Sequence, residues 1–406
     1  MRKILYYTDT NGIGGGERYL VDLIRESDRR GYDVTVLCND RPDLLEYFRR
    51  TVSDACRVRV VSPFSLTRNR LVQSGLTVNR ESRNRFSFLK VPGMFVYHAI
   101  LLWTAFRLFF LFRSMRPDIL HINAGGYPAA ESLRSAALAG RWAGIPRRYM
   151  TVHGMADAPV GLPFLERVVD RAVEKALDLV IAVSRGSLES LIRVRGYRSS
   201  KLKLINNGIE ESPVFLGRDE FCRHIGADPS LPIVGYIGRF LAIKGVDVLV
   251  SAFSDVNRAV PETQLILVGE GPLEESMRDK LRSLGIEKKV FFLGYQPQAR
   301  KFMKAFDVLV VPSSGHDNFP YVVLEAMEAA CPIVATNAGG TAEQIVNEES
   351  GLLIPPAAPD VMASAIVRLI RNRPEAERLG QKARLRMKEL FRIERMLDST
   401  IGLYEF

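Results

Sequence analysis

Residues 3–30 read KILYYTDTNGIGGGERYLVDLIRESDRR. Residues 3–8 are rich in aromatic and branched side chains and predict a short strand. Five positions, 12–16, hold four glycines and form a loop. From 17 to 29, Leu20, Leu23 and Ile24 fall on one helical face. A strand that enters a glycine loop and then a helix is the opening unit of a parallel α/β sheet. Outward from it the pattern repeats. Residues 33–38, 58–61, 118–122 (DILHI), 149–153 (YMTVH) and 179–183 (LVIAV) are further short apolar runs bounded by turn or helix signals. After Gly208 the pattern restarts at 233–237, 264–268, 290–292, 308–311 and 333–335. The reading is an α/β chain of two Rossmann-like, doubly wound domains, 1–208 and 209–385. The chain crosses between them near 207–213, and a charged helical segment, 386–406, packs back on the first. Two such sheets would turn their carboxyl ends toward one central cleft, where open α/β folds bind ligands.

Composition fits this size. Of 406 residues, 47% are apolar and 25% charged, as in a folded globular protein. Cys38, Cys56, Cys222 and Cys331 form no CxxC pair and share no zinc-like spacing with the five histidines. That argues against a disulfide framework or structural metal and for a reducing compartment. The start, MRKILYYTDTNG, reads as a strand and not a signal peptide. The net charge of +10 is uneven. Residues 1–210 hold 33 Lys+Arg against 20 Asp+Glu, and the remainder 23 against 26. A basic half beside a near-neutral one suits an anionic lipid, an acidic ligand or nucleic acid, or simply reflects arginine-rich usage.

Four loop segments are weighed for chemistry. The glycines at 14–16 allow close backbone approach, and the following helix offers free N–H groups to an anion. Glu17 stands where a dinucleotide fingerprint has its last glycine, which disfavours that cofactor. Arg239 and Lys244 flank the loop after 233–237 and could neutralise both phosphates of a diphosphate, though two solvated cations would read the same. It is no Walker loop, for it lacks GK[ST]. The third, VGEGP at 268–272, reads only as a turn at a strand end. In the fourth, residues 312–327, PSSGHDNFPYVVLEAM, two carboxylates stand eight residues apart. Asp317 lies in a loop and Glu325 in the first turns of a helix. A loop acid can reach sugar hydroxyls, and a helix acid can accept both hydroxyls of a ribose. No Asp-x-Asp pair suited to a divalent cation is found.

With GGGE at 14–17, PDILH at 117–121, TVHG at 151–154, AVS at 182–184, NNGI at 206–209, GR at 238–239, KG at 244–245, the 317–325 segment and GLLIPP at 351–356, the chain resembles the family 4 retaining glycosyltransferases of the GT-B fold. The likeness runs over nearly the whole chain. It implies a metal-independent transfer of a sugar from a nucleoside-diphosphate sugar to a hydroxyl, without a cofactor. By the same resemblance Arg239 and Lys244 bind the diphosphate, Glu325 the ribose and Asp317 the transferred sugar. Gly15 and Gly16 approach the donor phosphates and the acceptor. Asn318 and Phe319 belong to the donor loop, and His153 points toward the sugar. One departure is Asp317, where the family usually has glutamate. Two other readings stay open: a nucleotide-sugar epimerase of related fold, and a non-catalytic partner subunit of a polysaccharide assembly complex.

Residues 66–90 hold Arg68, Arg70, Arg80, Arg83, Arg85 and Lys90 against Glu81. Residues 91–112, VPGMFVYHAILLWTAFRLFFLF, follow. The run is long enough to span a bilayer. Spanning would put 3–61 and 118–183 on opposite sides, although both belong to one sheet, and Arg107 lies within it. The expectation is a helix partly packed on the domain and partly in the membrane interface, beside a basic loop; a buried core helix is the alternative. The corresponding picture is a peripheral enzyme on the cytoplasmic face of the plasma membrane, with a glycan or lipid-linked glycan acceptor and no nucleic-acid partner.

Overall fold

The computed structural model describes residues 1–52, 57–60, 90–159, 163–211, 214–315 and 317–405, with 57–60 and 90–97 as backbone only. The chain divides into two compact units: Met1–Ile205 with Leu397–Phe406, and Asn206–Met396.

In the first unit the strands are β1 (Lys3–Thr8), β2 (Asp33–Cys38), β3 (Arg57–Val60), β4 (Ile119–Ala124), β5 (Arg147–Val152), β6 (Leu179–Ala182) and β7 (Leu202–Leu204). They form one parallel sheet in the order β3-β2-β1-β4-β5-β6-β7. Ile4 stands opposite Val34 on one side and Ile119 on the other. Strands covered on both faces need near-continuous apolar runs, and Ile119, Leu120 and Ile122 are accordingly buried. The helices are α1 (Gly15–Arg29), α2 (Pro42–Thr51), α3 (Lys90–Met115), α4 (Glu131–Trp142), α5 (Pro163–Ala176) and α6 (Arg185–Arg195). The strand order reverses between β1 and β4, so the loops after these two flank the switch point.

Helix α3 holds a stretch, His98–Met115, long and apolar enough to cross a membrane. Yet Leu101, Ala105, Leu108 and Phe112 lie in one core with Leu5 and Tyr7 of β1, Leu120 and Ile122 of β4, and α4. Burying each of the three larger side chains contributes about 1.5–3 kcal/mol. One face of α3 is therefore committed to the domain. The basic segment 66–89 lies outside the described residues.

In the second unit, β8 (Ile233–Ile237), β9 (Gln264–Val268), β10 (Val290–Phe292), β11 (Val308–Val311), β12 (Ile333–Thr336) and β13 (Leu352–Ile354) are parallel, in the order β10-β9-β8-β11-β12-β13. Its helices are α7 (Arg218–Ile225), α8 (Val246–Ala259), α9 (Glu274–Ser283), α10 (Tyr321–Glu328), α11 (Thr341–Gln344), α12 (Pro359–Arg371) and α13 (Arg373–Leu390). Here the switch point lies between β8 and β11. Cys222 and Cys331 here, and Cys38 in the first unit, are buried free thiols; Cys56 is outside the described residues.

Two boundaries differ from the expected ones. The units meet at Ile205/Asn206, not at 208, and the return to the first unit comes at Leu397, not at 386. The reason is packing. Phe391 meets Phe319 edge to face at 5.2 Å, the Ile209 N–H donates to the Phe391 carbonyl, and that of Ile393 to Ile209. The last helix, α14 (Ile393–Ile401), thus starts in one unit and ends in the other. Beyond it, the Tyr404 hydroxyl lies between His121 Nδ1 and Tyr6, and Tyr19 pairs with Thr400 at 3.2 Å.

Candidate active site

In the second unit, the loops after β8 and β11 meet backbone to backbone. Gly245, at φ +65°, ends the β8 loop, and a Cβ there would lie 2.0 Å from the Pro312 carbonyl oxygen. The Ser314 N–H donates to the Ile243 carbonyl at 3.0 Å. This closeness brings Lys244 onto Asp317, an ion pair between Nζ and Oδ1. The other carboxylate oxygen of Asp317 accepts the Ser313 hydroxyl. Ser313 is itself fixed, because Thr336 of β12 donates to its carbonyl at 2.5 Å. Arg239 is exposed at the other end of the β8 loop, with its carbonyl held by the Tyr236 hydroxyl at 2.9 Å.

The turn after β12 closes the site from below. The Gly340 N–H donates to the Asp317 carbonyl at 2.9 Å, and Gly339, at φ +58°, packs directly on it. Asn318 is buried, and among the described residues neither its amide nitrogen nor its amide oxygen has a hydrogen-bond partner. Phe319 holds φ +70°. Its ring is buried against Phe391, so at this position the loop after β11 exposes backbone and not the ring. Glu325 lies half-buried one turn into α10. Arg239, Lys244, Asp317 and Glu325 thus border one switch point: two cations and two carboxylates at the carboxyl ends of adjacent strands. Among the described residues, no three His, Cys, Asp or Glu side chains gather as a metal site.

In the first unit, Gly15 and Gly16 are the first residues of α1. Glu17, the residue that broke the dinucleotide fingerprint, turns back, and its Oε2 accepts the Gly14 N–H at 2.8 Å. This fixes the loop at the helix start. Burial pushes the Glu17 carboxyl up from its ordinary value. His153 stands just past β5. Its Nε2 donates to Asn123 Oδ1 at 2.8 Å, Tyr19 meets it edge-on at 4.8 Å, and a Cβ on Gly16 would lie 3.1 Å from its ring. Burial pulls His153 down to about 3, so the ring is neutral. Asn123 also donates to the Gly16 carbonyl at 3.2 Å. Sequence reasoning named Gly16 and His153 but missed Asn123, which ties them together. The signal was an asparagine closing the DILHIN run at a switch-point strand. Ser313 was missed likewise, and nothing short of the Asp317 contact marks it.

Comparison with known proteins agrees with this geometry. Residues 13–212 match the model for Glycosyltransferase Family 4, and residues 218–386 that for Glycosyl transferases group 1. An uncharacterised glycosyltransferase of Methanocaldococcus jannaschii is 29% identical over 233 residues, 56% of this chain and 59% of that protein. N-acetyl-alpha-D-glucosaminyl L-malate synthase of Bacillus anthracis is 28% identical over 257 residues, 63% of this chain and 66% of its own length. The matches therefore span less than two thirds of these relatives. Among solved structures, HepE of Anabaena in complex with UDP superposes with a TM-score of 0.77 at 20% identity, covering 99% of each chain. The same protein is known with UDP-glucose. With two family models end to end over most of its length, the chain belongs to glycosyltransferase family 4 and has the GT-B fold.

Proposed function

We propose that the chain moves a sugar from a nucleoside-diphosphate sugar to a hydroxyl acceptor, with retention at the anomeric carbon and without a metal ion. The observation that carries this is the grouping of Arg239, Lys244, Asp317 and Glu325 about the β8–β11 switch point. Arg239 and Lys244 neutralise the diphosphate, the work a divalent cation would otherwise do. Glu325 accepts the ribose hydroxyls, and Asp317 orients the transferred sugar. The acceptor oxygen bonds to the anomeric carbon on the face the nucleotide leaves. The bond from that carbon to the phosphate oxygen breaks with its electron pair, and the departing phosphate takes the hydroxyl proton. No enzyme nucleophile is required. Neutral His153 offers a hydrogen bond near the sugar and no charge. The complexes of HepE with UDP and UDP-glucose favour a uridine donor. The acceptor is a lipid-linked or membrane-proximal glycan, met at the cytoplasmic face of the plasma membrane.

The test is slow hydrolysis of nucleoside-diphosphate sugars by purified protein in excess EDTA, with the first-formed anomer followed by NMR. Release of the donor's own anomer supports the reading. An inverted anomer, or activity that needs added magnesium or manganese, overturns it.

A further inference from the structure

The core face of α3 leaves an opposite face to explain. Between His98 and Met115 the exposed positions recur at helical spacing and carry Leu102, Trp103, Phe106 and Phe110. Trp103 is 59% exposed and Phe110 56%. These rings cover each other instead of the core: Phe106 stacks on Trp103 and meets Phe110 edge to face at 4.8 Å. Helix α4 packs between α3 and α5 on the same core. It ends on exposed Trp142, and α5 turns out Phe164, 74% exposed, and Val168. The protein has two tryptophans, and both lie on the outer side of this helix layer.

On α3 and α5 the exposed charge runs one way; the acid of α4, Glu131, is half-buried at that helix's start. The exposed positions of α3 hold Arg107 and Arg113, and those of α5 hold Arg167, Arg171 and Lys175. Helix α3 contains no acid. The three acids of α5, Glu166, Asp170 and Glu174, are all buried. Glu166 and Asp170 bind Arg134 and Arg195 inside the unit, and Glu174 pairs with Arg171 and Arg198 at its edge. Among the described residues, the outward positions of α3 and α5 thus carry aromatic, aliphatic and cationic side chains, with Ser114 near the end of α3, and no carboxylate. Tryptophan at an interface beside arginine and lysine is the composition that headgroup-level anchoring selects. A protein partner would meet this face with acids and hydrogen-bonding groups in fixed places. A fluid anionic surface needs only charge and an apolar boundary.

We propose that the outer face of α3, α4 and α5 docks on an anionic lipid bilayer, with Trp103, Phe106, Phe110 and Phe164 entering the interface and the arginines on the headgroups. The inference deepens the membrane-proximal acceptor proposed above, but its test uses neither donor nor acceptor, so either reading can fail alone. The full chain is mixed with vesicles of phosphatidylcholine, or of phosphatidylcholine and phosphatidylglycerol in equal parts. Tryptophan emission and co-sedimentation are then followed. A blue shift and sedimentation with the anionic vesicles only are expected. R167Q with K175Q lowers partitioning by about fivefold for each cation removed, and F106S with F110S abolishes the part that survives high salt. These side chains are exposed, so the variants should keep the native fold, which melting curves check. No blue shift and no sedimentation of the intact chain overturn the proposal. So does sedimentation that F106S/F110S leaves unchanged. A concentration-dependent dimer that F106S/F110S dissolves, with no vesicle binding, assigns the face to a second copy instead.

Discussion

Replacing Gly339 by alanine tests whether the turn after β12 positions Asp317. The new Cβ would lie 2.2 Å from the Asp317 carbonyl oxygen. Relief requires that backbone to recede by about 1 Å, and a displacement of this size at a reacting centre costs on the order of 100-fold. The hydrogen bond from Gly340 to the same oxygen makes the two turns move together. Alanine at φ +58° adds roughly 1–2 kcal/mol of strain. Gly285 is the control: its φ is +67°, so it carries similar strain, but nothing lies within 4 Å of its Cβ direction. Both variants should melt earlier. In single-turnover donor hydrolysis, G339A should fall about 100-fold, while G285A keeps the native rate. Equal rates in the two folded variants would refute the positioning argument.

Three other outcomes follow from the site. R239A and K244A should each weaken nucleoside-diphosphate binding by about 2–4 kcal/mol in calorimetry; unchanged affinity in both removes them from the phosphate site. D317N should lower turnover more than nucleotide affinity, and E325Q the reverse; the opposite pattern exchanges their roles. Acid should destabilise the first unit. His121 and His153 are both pulled down to about 3 by burial, so the unfolded chain takes up protons first as pH falls below the ordinary histidine value. Stability is then lost progressively between about 6.5 and 3, by up to about 2 kcal/mol per histidine near pH 5. H121Q with H153Q should flatten that acid limb in urea titrations; an unchanged slope would show that the rings are protonated in the native state.

Much of the architecture was legible because parallel strands buried on both faces leave apolar runs between turn signals. The ranges of β1, β2, β8, β9, β10 and β11 were read to the residue. Strands β7 and β13 were not read as strands: LKL puts a lysine in the middle of a three-residue run, and LLI stands between a glycine and two prolines and reads as a loop. The division at 397 was hidden for another reason. An apolar or aromatic residue shows that it is buried but not which domain buries it: Phe391 packs on Phe319 of the second unit and Tyr404 on His121 of the first. At the site, Arg239, Lys244, Asp317 and Glu325 stood out as charges at loop and helix starts. Their contacts did not. The Lys244–Asp317 pair joins positions 73 residues apart and depends on the bare backbone of Gly245. Phe319 was read from a motif that specifies the loop path, and the structure gives its ring to the core.

The division of the chain also fixes an order of events in synthesis. The first unit has its sheet once residue 205 has been made, but residues 397–406 follow only after the whole second unit. At the usual ~5–20 residues per second that interval is roughly 10–40 s. During it, His121 lacks Tyr404 on one ring nitrogen, Tyr19 lacks Thr400, and Tyr149 lacks the Leu403 carbonyl. The nascent unit must wait with a wet, open seam along β1, β4 and β5. The half of the molecule that is made first is therefore the half that is finished last.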